Sequence, residues 1–300
     1  MSTSIFEQVT SSLTVMSICG SLGPDIYEGT PLSELESLLA PGEDPNFDPF
    51  IDPCPVRNSN GDLVGILDFS DYAELDPLDP LDDPFVEDVM HLPAPRQLLS
   101  SSTTVLEAVE IFPGTSNQSF YIIHGNQVVG YLLYRHLFHP VGRLAFLALA
   151  LEIEEQSLRL CQHPPFREGA WKALSDNRRG KAIEIFRRQY GCEPHPPRKI
   201  DRLIDCTQLV DKATIIWKMK LTSPASSRSE LLGFFENLRK IRDFCAHPQR
   251  SSSDDGLIPK QRLSEFISNA KSMRDRLNDS LLSHKVGKYH QRPFFDGFQD

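Results

Sequence analysis

The chain has 300 residues, of which 40% are hydrophobic and 24% are charged, as in folded globular proteins. This composition excludes a chain that is disordered throughout, a collagen, a coiled coil and a disulfide knot, and no apolar run reaches membrane-spanning length. The net charge of −10 is unevenly divided. Residues 1–140 hold 21 acidic and three basic side chains (net −18), whereas residues 141–300 hold 28 basic and 20 acidic ones (net +8). The change of sign predicts a domain boundary near residue 140.

The first residues and the cysteines bear on cellular location and on thiol chemistry. No basic residue precedes the first apolar patch, and no pair of the six cysteines has C-x-x-C spacing. We therefore expect a cytoplasmic chain with free thiols, without a secretory signal or a membrane partner. Cys161-x-His163 and Cys192-x-x-His195 could supply four zinc ligands, but C-x-H is unusual spacing for zinc and free cysteines are commonly buried as small apolar residues, so we expect no metal site.

The acidic half contains a weak internal repeat. Each copy predicts a Thr-capped short helix, then a hairpin, then a strand that starts at a glycine. The cap and the glycine are Thr30 and Gly65 in the first copy, and Thr104 and Gly130 in the second. An acidic stretch rich in Asp-Pro separates the copies and predicts an extended linker.

The segment LVGILDFSDY of the first copy resembles the end of a cystathionine β-synthase (CBS) domain, a family whose domains pair into one pseudo-two-fold module. In that family a Thr or Ser stands three residues after the glycine, and an Asp six residues after it holds a ribose. These positions are Asp68 and Asp71 in the first copy, and Leu133 and His136 in the second. The resemblance implies an α/β module with a degenerate second copy and an adenine nucleotide (AMP or ATP) as ligand of Asp71, Asp68 and His136.

A module that is purely structural or dimerising is the alternative to nucleotide binding. A net charge of −18 repels a polyphosphate unless basic residues or Mg²⁺ intervene.

The basic half has apolar residues three and four apart, which is the helical period. The pattern predicts helices over about 141–162, 167–190, 199–221, 227–246 and 260–284, with Pro, Gly or Ser at the breaks. We therefore predict an all-helical bundle.

The fourth predicted helix ends in an R-x4-H motif made by Arg242, Asp243 and His247, before Pro248. The spacing alone is weak evidence. Its place at the end of a long amphipathic helix in a basic domain resembles the HEPN family (higher eukaryotes and prokaryotes nucleotide-binding), whose active members are metal-independent ribonucleases. The resemblance implies RNA cleavage by 2'-hydroxyl attack without a cofactor. His247 would be the general acid or base, Arg242 would hold the phosphate, and Asp243 would orient a neighbour.

Geometry constrains this motif. Five residues along a helix is a rotation of about 140°, so Arg242 and His247 do not share a face. Either Pro248 turns His247 out of the helix direction, or two chains pair into a composite site, which predicts a homodimer. A HEPN-like fold without catalysis and simple capping of the helix by basic residues are the alternatives.

Two further groups of charged residues have open interpretations. A basic cluster either tracks an RNA backbone or only solvates a helix face; its members are Arg178, Arg179, Lys181, Arg187 and Arg188. An acidic group on the first long helix either reaches the R-x4-H site or forms a solvated face; its members are Glu152, Glu154 and Glu155.

Together these patterns predict an α+β multidomain protein. Residues 1–75 form the first CBS-like repeat, residues 76–140 the acidic linker and second repeat, and residues 141–300 a HEPN-like bundle. The expected function is RNA cleavage regulated or dimerised by the CBS-like module, with RNA, a second copy of the chain and a regulatory protein such as an antitoxin as partners. The alternative is a non-catalytic, adenine-nucleotide-responsive binding or scaffold protein.

Overall fold

The structure is a computed structural model of the whole chain. It describes residues 5–38, 53–68, 84–114, 119–194, 199–222, 227–247 and 258–286. The chain divides into two compact units. An α/β unit takes its residues from 8–145 and 251–264, and a helical unit takes its residues from 1–7, 146–250 and 265–300.

The α/β unit contains two three-stranded sheets of identical topology. After helix α1 (Ile5–Ser12), the first repeat consists of β1 (Ile26–Tyr27), α2 (Leu32–Leu38), β2 (Cys54–Arg57) and β3 (Leu63–Leu67). After a short helix α3 (Val86–Val89), the second consists of β4 (Leu98–Ser100), α4 (Val105–Ile111), β5 (Ser119–His124) and β6 (Gln127–Leu133). In each sheet the first strand is parallel to the second, and the second is antiparallel to the third. The predicted internal repeat is confirmed.

Local sequence signals explain the ends of these elements. Thr104 Oγ1 accepts a hydrogen bond from the Glu107 backbone N–H at 3.2 Å, and Glu107 Oε2 accepts one from the Thr104 N–H at 2.8 Å, which is the predicted capping box. The hairpin turns place Gly61 at φ +83° and Gly125 at φ +63°, the left-handed region that glycine tolerates. The short strands β1 and β4 are absent from the sequence prediction, whereas β2 is implied there only as the first strand of the predicted hairpin.

The two repeats are joined by exchanged backbone pairs. Before β1, Gly20 pairs with Tyr131 of β6. The Gly20 nitrogen lies 2.8 Å from the Tyr131 oxygen, and the Tyr131 nitrogen lies 3.1 Å from the Gly20 oxygen. In the same way, His91 pairs with Ile66 of β3, at 3.0 and 2.9 Å. Each repeat therefore extends the sheet of the other.

The glycines that marked the repeat in the sequence lie at these two crossings. A Cβ on Gly130 would lie 2.8 Å from the carbonyl oxygen of Gly20, and a Cβ on Gly65 would lie 2.5 Å from Sδ of Met90. A side chain at either position would keep the other repeat from approaching.

A second exchange fixes the beginnings of α2 and α4. The N–H of Val15 donates to Thr103 O at 2.8 Å, and the N–H of Val86 donates to Thr30 O at 2.9 Å. Both valines are fully buried. These reciprocal contacts relate the repeats by a pseudo-two-fold axis and make them one folded unit.

The remaining helices follow in chain order. They are α5 (Pro140–Gln162), α6 (Arg167–Ala173), α7 (Asp176–Tyr190), α8 (Ile200–Asp205), α9 (Leu209–Lys218), α10 (Arg228–Ala246) and α11 (Lys260–Val286). The predictions of α5, α10 and α11 are confirmed to within two residues at each end.

The single helices predicted over 167–190 and 199–221 are wrong, because each is two helices. Leu174 and Ser175 take extended backbone angles that end α6 and begin α7. Gln208 is also extended, and its N–H donates to Asp211 Oδ2 at 3.0 Å, which starts α9. Caps inside an apolar periodic segment break it without a Pro or a Gly.

Candidate functional site

Helix α10 carries the R-x4-H motif and is held by an apolar stripe. Ser227 Oγ accepts a hydrogen bond from the Glu230 N–H at 3.2 Å and caps its beginning. Leu231, Phe235 and Leu238 are each at most 1% exposed. The motif therefore stands at the end of a firmly packed helix.

Arg242 is bound by two carboxylates. Its Nη1 donates to Glu154 Oε2 of α5 at 2.8 Å, and its Nη2 lies 3.3 Å from Asp243 Oδ1. The Arg242 side chain is 31% exposed. Burial lowers the pKa of Arg242, but the hydrogen bonds to Glu154 and Asp243 outweigh burial and leave the pKa above its ordinary value.

Glu154 also faces a buried cation. Lys212 Nζ on α9 lies 3.8 Å from Glu154 Oε1 and donates to the Thr207 carbonyl at 2.8 Å, with 3% of the lysine side chain exposed. Burial lowers the pKa of Lys212, and the Glu154 carboxylate offsets part of that shift. Burial also raises the pKa of the neighbouring Cys161 thiol to about 12.

The three charged residues of the acidic group on α5 have separate partners. Glu154 reaches the R-x4-H helix, so the expectation of a solvated face is wrong for this residue. Glu155 pairs with Arg159 one turn away on the same helix. Glu152 is 3% exposed and has its Oε2 4.0 Å from Arg274 of α11.

The charges around Arg242 form one network with as many carboxylates as cations. Arg239 extends it, with an Nη2–Oε1 distance of 2.7 Å to Glu236 and an Nη1–Oδ2 distance of 3.0 Å to Asp243. We call the set the α10 charge cluster: Glu154, Lys212, Glu236, Arg239, Arg242 and Asp243. Because the α10 charge cluster is neutral as a whole, it binds a phosphate only if Arg242 releases one of its carboxylate partners and binds the phosphate oxygens instead.

His247 leaves the helix. Its backbone angles are φ −114° and ψ 94°, which are extended, and its side chain is exposed. This agrees with the expected effect of a following proline. The position of the imidazole suits proton transfer to a solvent-borne substrate rather than a role in the core.

The basic cluster on α7 is mostly neutralised by ion pairs. Arg178 lies 3.3 Å from buried Asp211, Arg179 pairs with Asp176, and Arg187 lies 2.9 Å from Glu193. Two members, Lys181 and Arg188, are exposed and have no carboxylate partner in the described part of the chain. The cluster is therefore a weaker attractor of RNA than its sequence indicates.

The positions implied by the CBS resemblance differ between the repeats. Asp68 directly follows β3 and is half-buried, whereas Asp71 lies outside the described residues. After β6, His136 Nδ1 accepts a hydrogen bond from the Leu133 N–H at 3.2 Å, and its ring packs edge-on against Tyr131 at 5.3 Å between centroids. His136 thus caps a short 3₁₀ helix (Tyr134–Phe138).

Comparison with known proteins gives similarity to solved structures only. No family model and no curated protein matches the sequence. The CBS domains of a transcriptional regulator from Streptococcus pneumoniae are 15% identical over 42% of this chain and 97% of that one, with a TM-score of 0.31. CBSX2 in complex with AMP is 21% identical over 42% of this chain and 93% of that one, with a TM-score of 0.32. The CBS domain of a bacterial CNNM/CorC family Mg²⁺ transporter in complex with ATP is 12% identical over 46% of this chain and 93% of that one, with a TM-score of 0.34.

The described residues lack two kinds of feature. No group of three or more His, Cys, Asp or Glu side chains there has the arrangement of a metal site. No helix in the same ranges has both the length and the apolar character needed to cross a bilayer.

Lys212, Glu236 and Arg239 are the members of the α10 charge cluster that sequence reasoning missed. A usable signal existed for Lys212, because it is the single lysine, next to Asp211, within the largely apolar helical segment Leu209 to Trp217. Arg239 has only the helical spacing of three and four to Glu236 and Asp243.

Proposed function

We propose that the α/β unit is a CBS-like pair that binds an adenine nucleotide through its first repeat, and that the helical unit carries the response. The observation that carries this proposal is the reciprocal pairing of Gly20 with Tyr131 and of His91 with Ile66, which makes the two repeats halves of one module. The ligand class comes from the resemblance of the segment around Asp68 to the CBS family.

The chemistry of the two repeats favours the first. A carboxylate accepts hydrogen bonds from two ribose hydroxyls, and the first repeat has Asp68 and Asp71 at the positions implied by the resemblance. The second repeat has Leu133 and His136 there, and His136 Nδ1 already accepts a backbone N–H. Nucleotide binding at the second repeat would require that cap to open.

Isothermal titration calorimetry with AMP and ATP tests this function, since these are the ligands named for two of the solved structures above. We expect binding by the wild type and about tenfold or greater weakening in Asp71→Ala, as for loss of a charged hydrogen-bond acceptor. Glu87→Ala is the matched control, because it removes an exposed carboxylate from the same unit. Absence of heat with either nucleotide at millimolar concentration, with and without Mg²⁺, would refute the proposal.

A second candidate function is metal-independent RNA cleavage at the R-x4-H motif. It is favoured by one observation: His247 is exposed and leaves the helical conformation at the end of α10, five residues after Arg242, whose guanidinium Glu154 binds. An imidazole can act as a general acid or base, and the guanidinium fork of Arg242 matches phosphate oxygens.

The cleavage assay uses mixed RNA in EDTA. His247→Ala and Arg242→Ala should each abolish cleavage, and Lys240→Ala, which removes an exposed cation from the same helix, should leave it unchanged. Intact RNA after incubation with the wild type would end this candidate. A homodimer that builds a composite site stays a prediction, tested by light scattering on the active protein.

A further inference from the structure

Tyr134, the residue after β6, contacts a segment that is more than a hundred residues away in the chain. Its hydroxyl donates a hydrogen bond to the Ile258 carbonyl oxygen at 2.5 Å. Its ring packs edge-on against Phe112 at 5.5 Å and against Phe138 at 5.4 Å between centroids. Ile258 belongs to the same α/β unit.

Lys260, the first residue of α11, lies over the same aromatic pair. Its Nζ is 5.5 Å from the centroid of Phe112 and 5.8 Å from that of Tyr134. No carboxylate in the described ranges pairs with this ammonium, so the ring faces are its attractive partners. Phe112 is fully buried, which orders the aromatic surface.

The first turn of α11 continues this contact into the core. The Leu263 N–H donates to the Pro259 carbonyl at 3.0 Å, and the Leu263 side chain is fully buried. Burial of the Tyr134 hydroxyl raises its pKa, so it stays a protonated donor across the physiological range. The hydrogen bond, the cation–π contacts and the buried leucine therefore all lie within seven consecutive residues, 258–264.

The contact of Tyr134 with the segment lies next to the positions that the CBS resemblance assigns to ligand residues in the second repeat. Tyr134 stands between Leu133 and His136, the two positions at which the CBS resemblance puts ligand residues. Those two are linked to each other by the cap, and Tyr134, one of the two residues between them, binds the segment that begins at Ile258.

We infer that the second repeat is the docking site of the chain's own segment 258–264 in place of a nucleotide, and that it thereby fastens the beginning of α11 to the α/β unit. The statement on the nucleotide rests on the proposed function, and the docking does not. It follows that each chain binds one nucleotide and that an α/β fragment ending before residue 258 lacks part of its core.

Hydrogen exchange of the intact chain tests the docking. Tyr134→Phe removes the hydroxyl, and Lys260→Ala removes the ammonium. We expect each to speed amide exchange in a peptide covering residues 258–264 by about fivefold to tenfold, the effect of losing one such interaction. Tyr27→Phe, at an exposed tyrosine of β1, is the matched control and should leave the exchange unchanged.

Calorimetry of the same proteins separates the two proposals. One nucleotide per wild-type chain is expected, and two per chain would overturn the assignment of the second repeat. Exchange in both variants equal to that of the wild type would overturn the docking. If no nucleotide binds but the variants exchange faster, the proposed function fails and the docking stands. Circular dichroism of Tyr134→Phe verifies that this variant folds. If Tyr134→Phe misfolds, the exchange rates of Lys260→Ala, whose substituted side chain is partly exposed, decide whether the segment docks.

Discussion

Glu154 holds Arg242 across two helices, with 2.8 Å between Oε2 and Nη1, and its other oxygen faces Lys212. One carboxylate of α5 thus balances a partly buried guanidinium and a buried ammonium. Arg242 and Lys212 therefore both depend on Glu154. Removal of the Glu154 charge leaves the Lys212 ammonium buried with less opposite charge around it.

Glu154→Gln should therefore lower the free energy of unfolding by about 1–3 kcal/mol, the range for hydrogen bonds to charged groups. Urea unfolding followed by circular dichroism measures the change. Glu155→Gln is the control, because its partner Arg159 is 63% exposed and surface pairs contribute less than about 1 kcal/mol. Equal losses in the two variants would contradict the importance assigned to Glu154.

Substitution of His247 should leave the fold unaffected. The side chain is exposed at the end of α10, so we expect His247→Ala to stay within about 0.5 kcal/mol of the wild type in unfolding free energy. Phe235→Ala, in the buried stripe of the same helix, should cost about 3–5 kcal/mol. A large loss of stability in His247→Ala would show that the imidazole is structural, and any loss of RNA cleavage would then not report on chemistry.

The glycines at the repeat crossing should resist substitution. In Gly130→Ala the new Cβ meets the Gly20 carbonyl at 2.8 Å, and backbone must move, which costs about 1–3 kcal/mol. Gly180, inside helix α7, has open space around its Cβ position, so Gly180→Ala should instead stabilise by about 0.5–1 kcal/mol. Thermal unfolding checks both signs, and tolerance of alanine at position 130 would argue against the close exchange of strands.

The Cys161 thiol should make stability fall at alkaline pH. Its pKa rises from 9.0 to about 12 on folding, so between these values the unfolded chain releases a proton that the folded chain keeps. The free energy of unfolding then falls as pH rises, by up to about 1.4 kcal/mol per pH unit. Urea unfolding of Cys161→Ala and the wild type across this window should converge as pH increases. Cys192→Ala, at an exposed thiol, should follow the wild-type pH dependence, and parallel curves for all three proteins would contradict the assignment.

Nucleotide binding should depend on Mg²⁺ according to phosphate number. Residues 1–140 carry a net charge of −18, which opposes ATP more than AMP. We expect Mg²⁺ to strengthen ATP binding by about tenfold or more and AMP binding much less, as measured by calorimetry with and without EDTA. Equal affinities for ATP in both conditions would mean that basic side chains of the protein, rather than a cation, neutralise the phosphates.

The sequence by itself determined the features that rest on local rules. Thr104 with Glu107 specified a capping box, Gly61 and Gly125 specified turns, and the 3.6-residue period specified α5, α10 and α11. The proline after His247 offered departure of this residue from the helix as one of two alternatives, and the structure shows that departure. The break between α6 and α7 was missed because its signal, a serine at the N-cap position, is weaker than the apolar period around it.

Only the tertiary structure decided which distant residues meet. That Gly20 pairs with Tyr131, that Glu154 binds Arg242 and that Lys260 lies over Tyr134 depends on packing between elements far apart in the chain, and no local pattern contains such information. The same holds for the basic cluster on α7, whose charges look free in the sequence and are largely paired in space. Backbone conformation follows from near neighbours, whereas the partner of a charge or an aromatic ring is set by the whole fold.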